Sequence, residues 1–167
     1  MKNIKLRTLF RHQTQSVKKE RSFFVKSDKK RLQQVLLNLV SNAIKFTNRD
    51  GKILVVADLF WARLSSCPLR VNISVVDSGM GVERHHRRKL FKLFGSYKNE
   101  KSKINTNGIG IGLVISRLIV SKFGGDISFF TKPQKGSIFK FSFELSAFTK
   151  NELRTQLKQE RLENEVE

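Results

Sequence analysis

Apolar residues along the chain follow two periods, and the period switches mark the elements. From Lys29 to Phe46, Leu32, Leu36, Leu39 and Ala43 recur at about 3.6 residues and form one helical stripe. Ser27 or Asp28 can cap that helix with a side-chain oxygen, and Asn48-Arg49-Asp50-Gly51 ends it with turn chemistry. Lys52 to Leu59 reads as a strand. Arg70 to Val76 alternates polar and apolar positions, as a strand with one buried face does. Gly108 to Gly112 opens a helix that runs to about Phe123, where Gly124-Gly125 stops it. Asp126–Lys132 and Ser137–Leu145 form a hairpin around Pro133-Gln134-Lys135-Gly136. Phe139, Phe141, Phe143 and Leu145 share one face of its second strand, opposite Lys140, Ser142 and Glu144. Weaker patterns fill the rest. Ser22–Lys26 suggests a short strand, and about His85 to Phe94 a short basic helix. Trp61–Pro68 and Gly95–Asn107 read as loops, the second a candidate mobile one. Residues 1–21, with scattered Ile4, Leu6, Leu9, Phe10 and Val17, are expected to be a basic helical lead-in, and residues 147–167 a charged tail, helical at best. Helices mixed with hairpins point to a two-layer α/β sandwich, one mixed sheet covered by helices on one face.

Composition adds charge to this picture. The chain has 167 residues, 33 Lys+Arg and 14 Asp+Glu, for a formal charge of +19. That length suits one ordinary domain. Positive residues crowd positions 1–31 and 84–103, which favours anionic partners in general. No zinc-finger spacing or RNA-recognition signature accompanies them, so a solvated basic surface is favoured over a nucleic-acid site. Cys67 is the single cysteine, which leaves no internal disulfide and no C-x-x-C site. No apolar run has the length of a signal-peptide core or a membrane helix, and the expectation is a soluble, cytoplasmic protein.

Three segments carry chemistry. Asn38, Asn42 and Lys45 are spaced i, i+4, i+7 and share a helix face roughly 120° from the leucine stripe. Two carboxamides and an ammonium on one face suit a magnesium–phosphate group, or form an ordinary polar face. Asp77-Ser78-Gly79-Met80-Gly81 ends a strand. Its carboxylate can accept from an exocyclic amine such as adenine's, with glycines that let backbone approach a flat ring, or it is a plain turn. Asn107-Gly108-Ile109-Gly110-Ile111-Gly112-Leu113 places alternating glycines before a helix, to present N–H groups to phosphates or to act as a hinge. Neither the dinucleotide fingerprint nor the P-loop pattern is present.

The order of these segments resembles that in the catalytic ATP-binding domain of sensor histidine kinases, within the GHKL ATPase superfamily. Arg31 to Thr47 is similar to the family's N box, Asp77 to Val82 to its G1 box, and Leu90-Phe91-Lys92-Leu93-Phe94 to its F box. Gly108 to Leu113 resembles the G2 box, and Gly136-Ser137-Ile138-Phe139 the closing G-[ST]-x-F segment. The resemblance covers about residues 22–146 and implies a Bergerat-type ATP-binding fold, with ATP and Mg²⁺ as cofactors. It implies that Asn42 ligates the metal with Asn38 in support, that Lys45 reaches the phosphates, and that Asp77 reads the adenine amine. Gly79 and Gly81 would shape the adenine pocket. Gly108, Gly110 and Gly112, with Leu113, would hinge the lid over ATP, and Phe91 and Phe94 would anchor its other end. Ser137 joins the nucleotide-binding set through the closing segment.

The implied activity is transfer of the γ-phosphate to a histidine on a separate phosphoacceptor domain, in two-component signalling. Only 37 residues precede Asn38, too few for the phosphoacceptor hairpin, and His12 is followed by Gln13 where the family has an acidic residue. The acceptor is therefore expected in trans. Related ATPases that hydrolyse ATP carry a Glu one turn before the metal Asn. Asn38 stands there instead, and its neutral amide cannot take a proton near pH 7. No catalytic residue is assigned within the chain; the general base is expected on the acceptor. The alternative is a degenerate module that binds nucleotide or a partner without transfer.

Overall fold

The computed structural model describes residues 2–13, 24–25, 27–60, 69–93, 110–148 and 150–164. Helix α1 (Lys29–Phe46) is the organising element. Asp28 caps it, its Oδ1 accepting from Arg31 N at 3.0 Å. The buried stripe is Val35, Leu39 and Ala43, with Leu32 and Leu36 half-buried beside it. The strands are β1 (Lys5–Gln13), β2 (Phe24–Val25), β3 (Lys52–Phe60), β4 (Leu69–Asp77), β5 (Asp126–Lys132), β6 (Gly136–Leu145) and β7 (Ala147–Phe148). The other helices are α2 (Arg84–Arg87), α3 (Gly112–Lys122) and α4 (Lys150–Asn164).

Five strands form one mixed sheet in the order β1-β3-β4-β6-β5. β1 runs parallel to β3, and the remaining neighbours are antiparallel. A parallel pair needs a long crossover, and α1 lies within it. β2 and β7 pair separately as a two-stranded ribbon. One face of the large sheet presents Ile53, Val71, Val75, Ile127, Phe141 and Phe143 to α1 and α3, and these residues form the core. Phe141 is fully buried and stacks on Phe143 at a ring-centroid distance of 5.8 Å. The expected two-layer α/β sandwich, with helices on one face of a mixed sheet, is the architecture found.

Two local expectations are corrected. The lead-in is not helical where it is described: Lys5–Gln13 is a strand, paired residue for residue with β3. Arg11 fixes that pairing with a two-pronged bond to Asp58, Nε–Oδ1 at 2.6 Å and Nη2–Oδ2 at 2.9 Å. The basic helix after β4 spans only Arg84–Arg87, and turns carry the chain on to Leu93. The loops expected at Trp61–Pro68 and Gly95–Asn107 lie outside the described residues.

Candidate functional site

Three chain segments converge at one end of the sandwich, and α1 links them. Asn38 is half-buried, and its Nδ2 donates to Ser116 Oγ of α3 at 2.9 Å. Gly112, the first residue of α3, lies so close to Asn38 Oδ1 that a Cβ there would collide with it. The polar face of α1 is thereby stitched to the opening turn of α3. Asn42 and Lys45 follow on the same face, both half-buried, with Lys45 Nζ 5.5 Å from the Phe46 ring centroid. Ile111 precedes α3 and has no side-chain oxygen to cap it, so the first-turn N–H groups remain available to an anion. Gly110 takes φ +74°, a left-handed conformation open to glycine. Leu113 packs half-buried against the core.

The last turn of α1 leads into the second segment. A helix leaves its last four carbonyls unpaired within itself, and here each finds a partner. Ala43 O accepts from Thr47 N, and Phe46 O from Met80 N at 3.2 Å. Lys2 Nζ donates to Lys45 O at 2.8 Å and Thr47 O at 2.9 Å, with Ile44 O at 3.4 Å. Met80 thus hangs from the helix that carries Asn42. Gly79 lies against the Phe46 carbonyl with no room for a side chain.

Asp77 closes β4 on the helix-covered side, 7% exposed. Its Oδ1 accepts from Gly79 N at 2.8 Å. Burial pushes its carboxyl pKa above the ordinary value, against the opposing effect of backbone N–H bonds from Gly79 and Ser137. A buried carboxylate with acceptor capacity to spare suits a ligand amine. Gly81 takes φ +65° and presses on the Lys132 carbonyl, which pins the turn to the β5–β6 hairpin.

Ser137 faces Asp77 across β4 and β6. Its hydroxyl lies 3.0 Å from Thr131 Oγ1. Thr131 donates to Gly136 O and accepts from Val82 N at 2.9 Å, so its one proton is committed and Ser137 is the donor to it. Thr131 and Ser116 hold the site together and were not singled out from sequence. Their signal was a polar residue on an apolar period: Thr131 follows Ile127 and Phe129 on the inner face of β5, and Ser116 precedes Val120 by one turn. Phe91 packs partly buried, its ring 5.8 Å from Phe129 and under the Arg117 guanidinium at 5.6 Å. Gly108 and Phe94 lie outside the described residues.

Residues 27–147 match the family described as histidine kinase-, DNA gyrase B- and HSP90-like ATPase. The chain belongs to this ATPase family. Among its relatives, the signal transduction histidine-protein kinase BarA of Escherichia coli (strain K12) is 37% identical over 118 residues, 71% of this chain. Those residues span only 12% of BarA. The catalytic domain of histidine kinase ThkA superposes with a TM-score of 0.59 at 27% identity, covering 85% of this chain and 80% of that one. Full-length ShkA in complex with AMPPNP gives a TM-score of 0.59 at 26% identity, covering 86% of this chain and 26% of that one. The family is one of ATP-binding domains, and the chain is homologous to the catalytic domains of histidine kinases.

Proposed function

We propose that this ATPase-family chain holds Mg·ATP and donates its γ-phosphoryl group to a histidine on a separate phosphoacceptor domain, in two-component signalling. We extend the ATP-binding unit N-terminally to β1, and we assign the protein to the cytoplasm, where ATP is supplied. No described helix is long and apolar enough to cross a membrane. The observation that carries the reading is the Asn38–Ser116 bond with Gly112 packed beside it. It sets the polar face of α1 against the uncapped start of α3.

In this reading Asp77 accepts the adenine 6-amine, inside the pocket shaped by Gly79, Gly81 and the Ser137–Thr131 pair. Lys45 and the first-turn N–H groups of α3 take the triphosphate, and Gly108, Gly110 and Gly112 allow the lid to close. Asn42, supported by Asn38, supplies a hard oxygen to Mg²⁺. The donor suits that ion: a carboxamide oxygen is a hard ligand, and a magnesium held here would complete its shell from phosphate and water, its usual habit. When bound, the metal neutralises charge between the phosphates. The acceptor imidazole nitrogen attacks γ-phosphorus, the bond to the bridging oxygen breaks, and ADP leaves. The chain contributes position and charge rather than a base, since Asn38 cannot accept the proton.

The test is a titration with ATP, with and without Mg²⁺, followed by incubation of labelled Mg·ATP with a supplied histidine-bearing helical hairpin. Acid-labile phosphate on the hairpin, together with free phosphate released no faster than by Asn42→Ala, is expected. Binding without transfer to any hairpin would leave a nucleotide-binding module and overturn the kinase assignment.

A further inference from the structure

The sheet face turned away from the helices carries an apolar row that its own pattern does not call for. An antiparallel sheet with one covered face should be polar on the other. Most of the open face obeys: Arg70, Asn72 and Ser74 lie on it from β4, and Lys140, Ser142 and Glu144 from β6. Leu9, Val56 and Phe60 depart from the pattern on β1 and β3, but a single apolar row runs unbroken across β3, β4, β6 and β5. Leu54 pairs with Val76, Val76 with Ile138, and Ile138 with Phe130, so four apolar side chains stand side by side on four adjacent strands. At ~4.8 Å per strand the row is about 14 Å long. Phe130 is 70% exposed and Ile138 38% exposed, while Leu54 and Val76 are half-buried. Exposed apolar residues scattered singly need no explanation, but a register-aligned row marks a contact surface.

Cations frame the row. Arg7 extends it at the β1 end, Lys52 and Lys132 lie in the next row on one side, and Lys140 lies on the other. All four are exposed, and none is in an ion pair among the described residues. The neighbouring cations Arg11 and Arg70, by contrast, are paired to Asp58 and Glu144.

We propose that this face docks an acidic protein partner, whose apolar ridge covers Leu54, Val76, Ile138 and Phe130 and whose carboxylates meet Arg7, Lys52, Lys132 and Lys140. Charge selects this occupant. A second copy brings the same +19 and sets cations against cations. Segments 14–23, 61–68 and 94–109 of this chain each carry more Lys+Arg than Asp+Glu, so they lack the complementary sign, and 165–167, although it holds Glu165 and Glu167, brings one apolar residue to a row of four. An anionic lipid surface matches the charge but not the shape. Leu54 and Val76 are half-buried and offer little surface to a bilayer, whereas a protein ridge can follow the whole row.

The surface is tested with the whole chain and a defined probe, a 14-residue helical peptide with one leucine face and one glutamate face. Backbone amide NMR shifts should centre on Leu54, Val76, Phe130 and Ile138. Binding should weaken at least tenfold in the double variant Phe130→Thr with Ile138→Thr, which keeps β-forming side chains. It should weaken as much for a peptide with alanine in place of leucine. ATP affinity serves as the check on folding and should be unchanged in the variant, so a failure of the nucleotide reading would show separately, in the wild type. Equal binding of both peptides would reduce the effect to general attraction by a basic protein and overturn the proposal. So would a dimer in sedimentation that the double variant loses. Binding to phosphatidylcholine–phosphatidylglycerol vesicles that depends on Phe130, with no binding of peptide, would assign the face to membranes instead.

Discussion

Replacing Asp77 by Asn tests the proposed nucleotide pocket most sharply, because ligand binding and folding should respond in opposite ways. The carboxylate is almost fully buried, and it holds the Gly79 and Ser137 backbone N–H groups. Asparagine keeps the shape and one acceptor oxygen but turns an NH₂ toward any remaining partner. If the adenine amine donates to Asp77, the variant loses a hydrogen bond to a charged group, about 1.5–3 kcal/mol, or about 10- to 150-fold in ATP affinity. Folding should not suffer equally. Burial raises the carboxyl pKa above its ordinary value, so the folded protein keeps that proton to higher pH than the unfolded chain does. The contribution to stability is full below the unfolded pKa and is lost as pH rises through the folded one. The uncharged amide of the variant carries no such dependence. The melting temperature of Asp77→Asn minus that of wild type should therefore climb as pH rises from about 3 to 7. Calorimetric titration with ATP and GTP, alongside thermal melts across that range, measures both. Unchanged ATP affinity, or a melting difference that falls with pH, would refute the reasoning.

Three further changes follow from the same geometry. Asn42→Ala should remove the gain in ATP affinity that Mg²⁺ gives, leaving the metal-free affinity intact, as titrations with and without Mg²⁺ will show. Gly81→Ala should cost about 2 kcal/mol or more, because φ is +65° and the new Cβ meets the Lys132 carbonyl; a melting temperature lower by about 4–8 °C is expected. Lys2→Met should cost about 0.3–1 kcal/mol by withdrawing a cation from the C-terminal carbonyls of α1, read as a melting temperature about 1–4 °C lower, with Lys2→Arg restoring most of it.

How far the fold could be read depended on how much each element buries. α1 declared itself fully: it is long, buries a stripe on one side, and starts at a residue whose side chain caps it. The β5–β6 hairpin was legible for the same reason, with Phe141, Phe143 and Leu145 alternating into the core. β1 carries no such period because an edge strand buries little. Leu6 is 54% exposed and Phe10 71% exposed, so its pairing with β3, and not any hydrophobic period, makes it a strand. The polar residues of the site were visible as types and spacings. Their supports, Thr131, Ser116 and Lys2, act through partners 49, 78 and 45 residues away, and no local pattern could name those. The apolar row on the open face shows only after the register is known, because each strand contributes a single residue to it.

The first strand also has a mechanical direction. β1 enters the sheet at Lys5, beside Gly51, and its pairing with β3 continues from there to Gln13 and Phe60. Tension that peels β1 from its leading end loads the bonds one after another, as in a zipper, and does not shear them together. The earliest to part are those of Lys2 to the α1 carbonyls, Asn3 to Asp50, and Lys5 to Gly51. These bonds grip the turn between α1 and β3, next to the residues that hold Met80. A small pull at that end therefore reaches the turn that carries Asp77 and Met80, the proposed adenine side of the site, while Arg11 and Asp58 still hold the far end of the strand in place.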